Sequence, residues 1–141
     1  MSLSVSRVNW DIAEDLLRSV REKVFVCEWR IPPRIEFDRK DKLAVHVLVC
    51  DDETQEPVAT GRILPTGEIS RIAVTKTHRK SMADKLVIES LVKSAIELGL
   101  REVFVNVSLE AVDYFRDHNF KPVGAVYMEA GLARQRVSYD I

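Results

Sequence analysis

The first stretch of this sequence whose residue types could do chemistry is VTKTHRKSMADKLVIES, at positions 74–90. It reads as the end of a strand, a short basic turn (residues 75–82) and the start of a helix. Free amides and the helix dipole favour an anion at a helix N-terminus, so this layout predicts a phosphate site. Glycine usually lets the backbone approach such a ligand, and this stretch contains none. It is therefore either a phosphate-binding turn that has changed or one that never bound phosphate.

The elements before the basic turn follow from hydrophobic patterning. The segment LSVSRV alternates apolar and polar residues, which predicts a half-buried first strand. Asn9 is placed to cap a helix, and the apolar positions of that helix fall on one face: Ile12, Leu16, Leu17, Val20 and Val24. Three apolar segments, LAVHVLVC, VATGRIL and EISRIAV, then predict a meander of strands that leads into the basic turn.

The helix after the basic turn shows two contrasting faces. Charged residues spaced four apart form its predicted solvent face: Lys85, Glu89, Lys93 and Glu97. Apolar residues form the opposite face: Val87, Leu91, Ala95 and Leu98. Gly99 is placed to end the helix in the left-handed conformation. A strand, a short helix and a closing pair of strands follow, so the predicted order is β-α-β-β-β-α-β-α-β-β.

Composition excludes several classes of protein. The 141 residues predict a single domain, 1–141, able to bury a core without disulfides or metals. A net charge of −1 gives no reason to expect nucleic-acid binding, and no apolar run approaches the roughly 20 residues of a membrane span. Cys27 and Cys50 lack the spacing of a zinc site or a disulfide framework, and we expect them in a reducing cytoplasm. No metal is expected.

Three segments carry a resemblance to a known family: REKVFVCEWRIPPRIEFDRKDKLAVHVLV, PVATGRILPTGEISRIAV and FKPVGAVYMEAG. In order and spacing they resemble the GCN5-related N-acetyltransferase (GNAT) superfamily, and within it the small ElaA-like and YjcF-like acetyltransferases. The resemblance covers residues 21–137. It implies one α/β domain with a mixed, twisted sheet of six to seven strands and helices on both faces. It also implies direct transfer of an acetyl group from acetyl-CoA to a small amine, and a possible homodimer.

The resemblance implies a set of cofactor-binding residues. Backbone amides of Ile72, Ala73 and Val74 are the expected donors to the thioester and pantetheine, where they would stabilise a developing oxyanion. The family's pyrophosphate pattern, [Q/R]-x-x-G-x-[G/A], falls on six consecutive residues: Arg79, Lys80, Ser81, Met82, Ala83 and Asp84. Arg79 matches the first position, whereas both glycine-type positions are replaced.

Asp84 and Asn106 each allow two interpretations. Asp84 either repels the pyrophosphate or lies in the first helical turn because acids suit that end of the dipole. Asn106 follows the pattern of a polar residue that faces the cleft, where it would bond pantetheine or a water. A structural role where the sheet splays is equally consistent with its position.

The resemblance also points to catalytic groups. The family's general acid is a tyrosine, and alignment on Phe120 places Phe115 at its position; Tyr114 is one residue away, about 100° around the helix. We therefore expect Phe115 in the core beside the cofactor and Tyr114 partly exposed. Glu28 and Glu36 match acidic positions of the ElaA-like pattern and are candidate general bases. The alternative is that they form ion pairs with Arg30, Arg34 or Arg71 that fix the loop.

Three hypotheses follow. The first is an acyl-CoA-dependent N-acyltransferase, an acetyltransferase acting on an amine. The second, from a different class, is a catalytically degenerate protein of the same fold that binds a ligand or a protein partner. The third is a homo-oligomer with weak residual coenzyme A binding. The fold favours none of them over the others.

Overall fold

The computed structural model describes residues 2–141. It contains seven strands: β1 (Leu3–Val8), β2 (Val45–Asp51), β3 (Pro57–Ile63), β4 (Ile69–Val74), β5 (Glu102–Ser108), β6 (Lys121–Glu129) and β7 (Leu132–Asp140). The four α-helices are α1 (Trp10–Arg21), α2 (Pro33–Glu36), α3 (Ala83–Glu97) and α4 (Val112–Arg116). A π-helix, Glu22–Glu28, continues α1. The predicted order of strands and helices is confirmed, with α2 added.

The sheet is divided into two antiparallel parts. One part has the order β1-β2-β3-β4, and the other has the order β5-β7-β6. The two parts meet through a parallel bridge between Glu68, just before β4, and Phe104 in β5. Beyond that bridge the facing edges of β4 and β5 are not paired with each other. This α/β architecture confirms the predicted fold class and leaves a gap between the two parts.

Helices α1 and α3 cover opposite faces of the first sheet. Val47 and Val49 on β2 belong to the core under α3, whereas Leu48 between them belongs to the core under α1. Successive side chains of a strand point to opposite faces, so β2 is buried on both sides, as its nearly continuous apolar sequence predicts. Among residues 2–141, no helix is long and apolar enough to cross a membrane.

The buried face of α1 differs from the predicted one. Asn9 caps the helix as expected, accepting a hydrogen bond from the Ile12 amide at 3.0 Å. Leu17 and Val20 are fully buried, but Ile12 is 84% exposed and Leu16 46% exposed. The face is rotated because it includes Trp10, which packs against His46, and because the charged Arg21 is buried. Aliphatic spacing alone could not show this.

Helix α3 matches its prediction except at its end. Val87, Leu91 and Ala95 are fully buried. Gly99 adopts a φ of 76°, and the amide that follows it, that of Leu100, bonds to the Ala95 carbonyl at 3.0 Å. Leu98 is 48% exposed because the helix has already ended at Glu97.

Candidate active site

The open edge of β4 provides free backbone donors. The Thr75 amide bonds to the Val58 carbonyl at 2.9 Å, and Ala73 pairs with Thr60 in the same register. Amides alternate in direction along an antiparallel strand, so the amide of Ala73 faces β3 and those of Ile72 and Val74 face the open edge. Two of the three predicted donors therefore point into the gap. The Ala73 amide is used by the sheet, so this register favours Ile72 and Val74 as the donors to a cofactor.

A bulge sets this arrangement. The register between β3 and β4 shifts opposite Gly61, and Arg71 lies in the left-handed region with a φ of 56°. Non-glycine residues rarely adopt this conformation, and it occurs preferentially where the backbone is constrained by function. Arg71 is held by hydrogen bonds to the carbonyls of Ile35 and Glu36 at 3.3 and 3.2 Å.

A cleft of about 550 Å³ occupies the gap beside β4. Seven of the residues predicted for the site line it: Ile72, Ala73, Val74, Arg79, Asp84, Tyr114 and Phe115. The sequence reasoning missed three further lining residues: Val24, Trp29 and Ile88. Val24 lies in the π-helix, where it is buried in the core as its spacing predicts and also borders the cleft. The lining is predominantly apolar, which suits the pantetheine arm and acyl group of an acyl-CoA.

Arg79 is paired with Glu28 at the wall of the cleft. Its Nη1 and Nη2 atoms donate to the two carboxylate oxygens of Glu28 at 2.6 and 2.5 Å, and its Nε atom donates to the Val74 carbonyl at 3.1 Å. The hydrogen bonds from Arg79 lower the pKa of Glu28 below its ordinary value. The structure thus joins a predicted phosphate ligand to a predicted general base.

Asp84 is paired with Tyr114 on the other side of the cleft. The Tyr114 hydroxyl donates a hydrogen bond to the Asp84 carboxylate, linking α4 to the first turn of α3. Burial, and then this hydrogen bond, raise the pKa of Tyr114 well above its ordinary value. The phenol therefore remains protonated at neutral pH. Tyr114 is 38% exposed and Phe115 is 7% exposed, which agrees with the predicted division between them.

The start of α3 keeps free donors for an anion. The first amides of a helix have no acceptor within it, and in α3 these are the amides of Ala83, Asp84 and Lys85. The Ser81 hydroxyl accepts from the Ala83 amide at 3.2 Å, which makes Ser81 a local cap. The amides of Asp84 and Lys85 remain available to a diphosphate.

Met82 and Asp84, which replace the two glycine-type positions, differ in whether their side chains line the cleft at the start of α3. The Met82 side chain is 57% exposed and is not part of the cleft lining, whereas Asp84 lines the cleft. Lys80 is exposed, and Ala83 is fully buried. The residues present therefore fit a coenzyme A tail, with Asp84 as the one group of unfavourable charge in the cleft wall.

Glu36 lies in a buried ion cluster of three arginines and three acids: Arg21, Glu36, Asp38, Asp41, Arg62 and Arg71. Arg21 donates to Glu36 at 2.7 Å, and Arg71 approaches the same carboxylate at 3.3 Å. Burial raises the pKa of Glu36, while Arg21 acts in the opposite direction. Only 2% of Glu36 is exposed. This geometry favours the loop-fixing alternative for Glu36 and assigns Arg71 as one of its partners.

Asn106 is not brought to the cleft. Its side-chain oxygen accepts from Arg136 at 3.1 Å, and it lines a different cavity of about 380 Å³ beside β6. The reason is the direction of the β5 side chains, since Phe104 and Asn106 share the face on which Arg136 stacks. This position favours the structural alternative for Asn106 over contact with a cofactor in this cleft.

Comparison with known proteins identifies the family to which this chain belongs. A family model described as "Acetyltransferase (GNAT) domain" matches residues 20–104. The chain is 29% identical over 125 residues to the uncharacterized N-acetyltransferase YjcF of Bacillus subtilis (strain 168), and the match covers 86% of this chain and 88% of that protein.

Two solved structures show the same fold. Escherichia coli ElaA superposes with a TM-score of 0.83 at 19% identity, over 99% of this chain and 100% of that one. BjaI, a CoA-dependent acyl-homoserine lactone synthase whose structure holds SAM and isopentyl-CoA, superposes with a TM-score of 0.81 at 17% identity, over 99% of this chain and 84% of that one.

The region matched by the family model contains the elements that build most of the cleft. It includes the π-helix, the bulged strand β4, the basic turn and α3. The resemblance inferred from the sequence is confirmed. The chain belongs to the GNAT acetyltransferase family, whose fold binds acyl-CoA.

Proposed function

We propose that this protein transfers an acetyl group from acetyl-CoA to a small-molecule amine by direct attack. The observation that carries the proposal is the cleft itself, where the open-edge amides of Ile72 and Val74 lie beside the donors that start α3. Bound acetyl-CoA would supply an activated acyl carbonyl. The chain's contribution is to orient that carbonyl and to handle protons.

Each part of acetyl-CoA can be assigned to residues at the cleft that would bind it. The amides of Ile72 and Val74 would bond the acyl carbonyl and the pantetheine arm, because both point into the gap. Arg79 and the free amides of Asp84 and Lys85 would hold the diphosphate. The apolar lining would exclude water from the reacting groups.

Tyr114 and Glu28 are the proposed proton-handling groups. The phenol of Tyr114 lines the cleft and stays protonated, so it can give a proton to the departing thiolate. Its raised pKa makes it a weak acid, so its hydrogen bond to Asp84 must be broken before it can act. Glu28 stays ionised and would accept the proton of the amine directly or through a water. Its lowered pKa makes it a weak base, so the pairing with Arg79 must be broken before it can act.

A titration with acetyl-CoA followed by thermal unfolding tests binding. A ligand at 100 times its dissociation constant adds about 2.7 kcal/mol to the free energy of unfolding. We expect such a shift, and release of free coenzyme A with at least one member of an amine panel. Acyl-CoAs of increasing chain length, tested in the same assay, determine whether acetyl is the preferred group. No shift at millimolar acetyl-CoA would contradict the proposal.

Tyr114→Phe tests the proposed acid. The change removes one hydroxyl and keeps the ring contacts with Phe115 and His118. We expect kcat to fall about 100-fold or more, as is typical for loss of a general acid, with little change in thermal stability. Tyr127→Phe, on β6 outside the cleft, is the matched control and should retain full activity. Full activity of Tyr114→Phe would remove this residue from the mechanism.

A catalytically degenerate binding protein is the second candidate. Two observations favour it: Arg79 is already occupied by a carboxylate, and Asp84 adds negative charge to the cofactor cleft. It predicts stabilisation by coenzyme A without release of the thiol from acetyl-CoA for any amine. The two assays above therefore separate it from the transferase.

A further inference from the structure

Two side-chain contacts at this cleft each join a residue of the expected cofactor site to a proposed catalytic residue. Arg79 of the basic turn holds Glu28 of the π-helix, and Asp84 of α3 accepts a hydrogen bond from Tyr114 of α4. Within the described chain, both proposed catalytic groups are thus occupied by cofactor-site partners.

We propose that the Glu28–Arg79 and Tyr114–Asp84 contacts together form a latch, meaning a pair of contacts that keeps Glu28 and Tyr114 inactive. The diphosphate of acyl-CoA breaks both contacts when it binds. This inference rests on the proposed function and adds to it a ligand-free state in which both proton-handling groups are held by cofactor-site residues.

The chemistry of Arg79 favours this exchange. A guanidinium makes the same two-pronged contact with a carboxylate as with a phosphate, so Glu28 occupies the position that a phosphate oxygen pair would take. The side chains of Arg79 and Glu28 are 38% and 33% exposed. Solvent screens a pair with this exposure, although its two-pronged geometry makes it stronger than most surface ion pairs. A multiply charged diphosphate that also bonds the α3 amides can still replace the single carboxylate.

The position of Asp84 favours release on the other side. A diphosphate at the start of α3 would lie next to the Asp84 carboxylate, and the two negative charges repel. The Asp84 side chain must then turn away from the diphosphate, which weakens its bond to Tyr114. The phenol, which already lines the cleft, is then free to meet the thiolate.

The location of the Glu28–Arg79 pair is consistent with a latch. Glu28 lines a second cavity of about 480 Å³, and Arg79 lines the cleft of about 550 Å³. Val24 borders both cavities. The ion pair therefore links a residue that lines one cavity to a residue that lines the other.

Glu28→Gln tests the first contact through binding alone. The variant keeps the shape of the side chain but removes its charge, so Arg79 is released more easily. We expect coenzyme A to bind about two- to fivefold more tightly by calorimetry, the range set by an exposed ion pair. Pantetheine, which lacks phosphates, should bind the variant and the wild type equally. Glu22→Gln, an exposed glutamate at the other end of the π-helix, makes the same charge change and should leave both affinities unaltered.

The second contact is tested by NMR of protein labelled at tyrosine Cζ. We expect the Tyr114 resonance to move when coenzyme A is added, and to move in the same direction in ligand-free Asp84→Asn. Coenzyme A binding that leaves this resonance in place, or a Glu28→Gln variant that binds coenzyme A no more tightly, would overturn the latch while leaving the proposed function standing. Failure of the wild-type protein to bind coenzyme A would overturn the proposed function itself.

Discussion

Asp84 shows how one residue can be unfavourable for a ligand and still belong to its site. It stands where the family has glycine or alanine, and its carboxylate lines the cleft. A negative charge about 5 Å from a diphosphate costs on the order of 1–3 kcal/mol at an intermediate dielectric. The bond from Tyr114 gives this carboxylate a partner in the described structure. We therefore propose that Asp84 weakens the binding of coenzyme A without preventing it.

Neutralising Asp84 should strengthen cofactor binding. We expect Asp84→Asn to lower the dissociation constant of coenzyme A about fivefold or more, because the repulsion is removed while the side chain keeps its size. Isothermal titration calorimetry at low salt measures this. Glu89→Gln, on the solvent face of the same helix, controls for net charge and should have little effect. Weaker binding by Asp84→Asn would show that the carboxylate helps to build the site.

At the scale of elements, the buried ion cluster attaches the loop after α1 to the sheet. Asp41 lies at its centre and accepts from Arg21 at 2.6 Å and from Arg62 at 2.8 Å. Partial burial opposes ionisation of Asp38, but its hydrogen bond from Arg62 prevails and lowers the pKa of Asp38. Arg71, at the bulge of β4, joins the same cluster. The loop and the bulge that opens the cleft are thereby fixed together.

Removing the central charge of this cluster should be strongly destabilising. Asp41 is 1% exposed, and Asp41→Asn would leave Arg21 and Arg62 without their shared counter-charge. We expect a loss of about 3–5 kcal/mol in the free energy of unfolding, measured by urea denaturation. Asp38→Asn makes the same chemical change at the rim of the cluster, where the side chain is 30% exposed, and should cost clearly less. Equal losses would contradict this account.

Close packing of β3 against α3 gives a second prediction at this scale. A Cβ atom added at Gly61 would lie 2.7 Å from Val87 Cγ1 and 2.9 Å from Leu91 Cδ1. We expect Gly61→Ala to lower the free energy of unfolding by about 1–3 kcal/mol through overpacking. In the double variant Gly61→Ala/Val87→Ala, the new methyl group gains room, so the two costs should be less than additive. Strict additivity would show that the contact is not the cause.

At the scale of the whole molecule, stability should depend on pH through His46. Its Nε2 atom lies 2.8 Å from the Asp41 carbonyl oxygen, which can only accept, so this nitrogen carries the proton of the neutral ring. Burial lowers the pKa of His46 below its ordinary value of 6.5. The unfolded chain therefore binds more protons below pH 6.5, and stability falls as the pH decreases from there.

Urea unfolding between pH 7.5 and 5.5 measures this dependence. We expect the free energy of unfolding to fall on acidification, by at most about 1.4 kcal/mol per pH unit from a single group, and the slope to flatten in His46→Gln. The raised pKa of Glu36 acts in the opposite sense, because stability is regained as the pH falls through its folded value. An unchanged slope in His46→Gln would rule out His46 as the source. Whether the protein forms the possible homodimer is tested separately, by light scattering of the purified protein.

The order of elements was predictable because its signals are local. Caps, turn residues and hydrophobic periods act over a few neighbouring positions, and Asn9, Gly99 and the buried face of α3 all follow from them. The left-handed Arg71 and the π-helix carry no such signal, since neither has a glycine or a proline to mark it. The division of the sheet into two parts likewise depends on where the β4 and β5 edges separate.

The sequence by itself determined the family, the course of the chain and most of the residues around the cleft. Only the tertiary structure decided how those residues are paired. Glu28 and Arg79 are 51 positions apart, and Asp84 and Tyr114 are 30 apart. Contacts over such separations depend on strand register, the bulge and the helix phase together, and no local pattern encodes that combination. The pairing matters because Glu28, Arg79, Asp84 and Tyr114 could contact a ligand if they were free, whereas in this structure they bind one another.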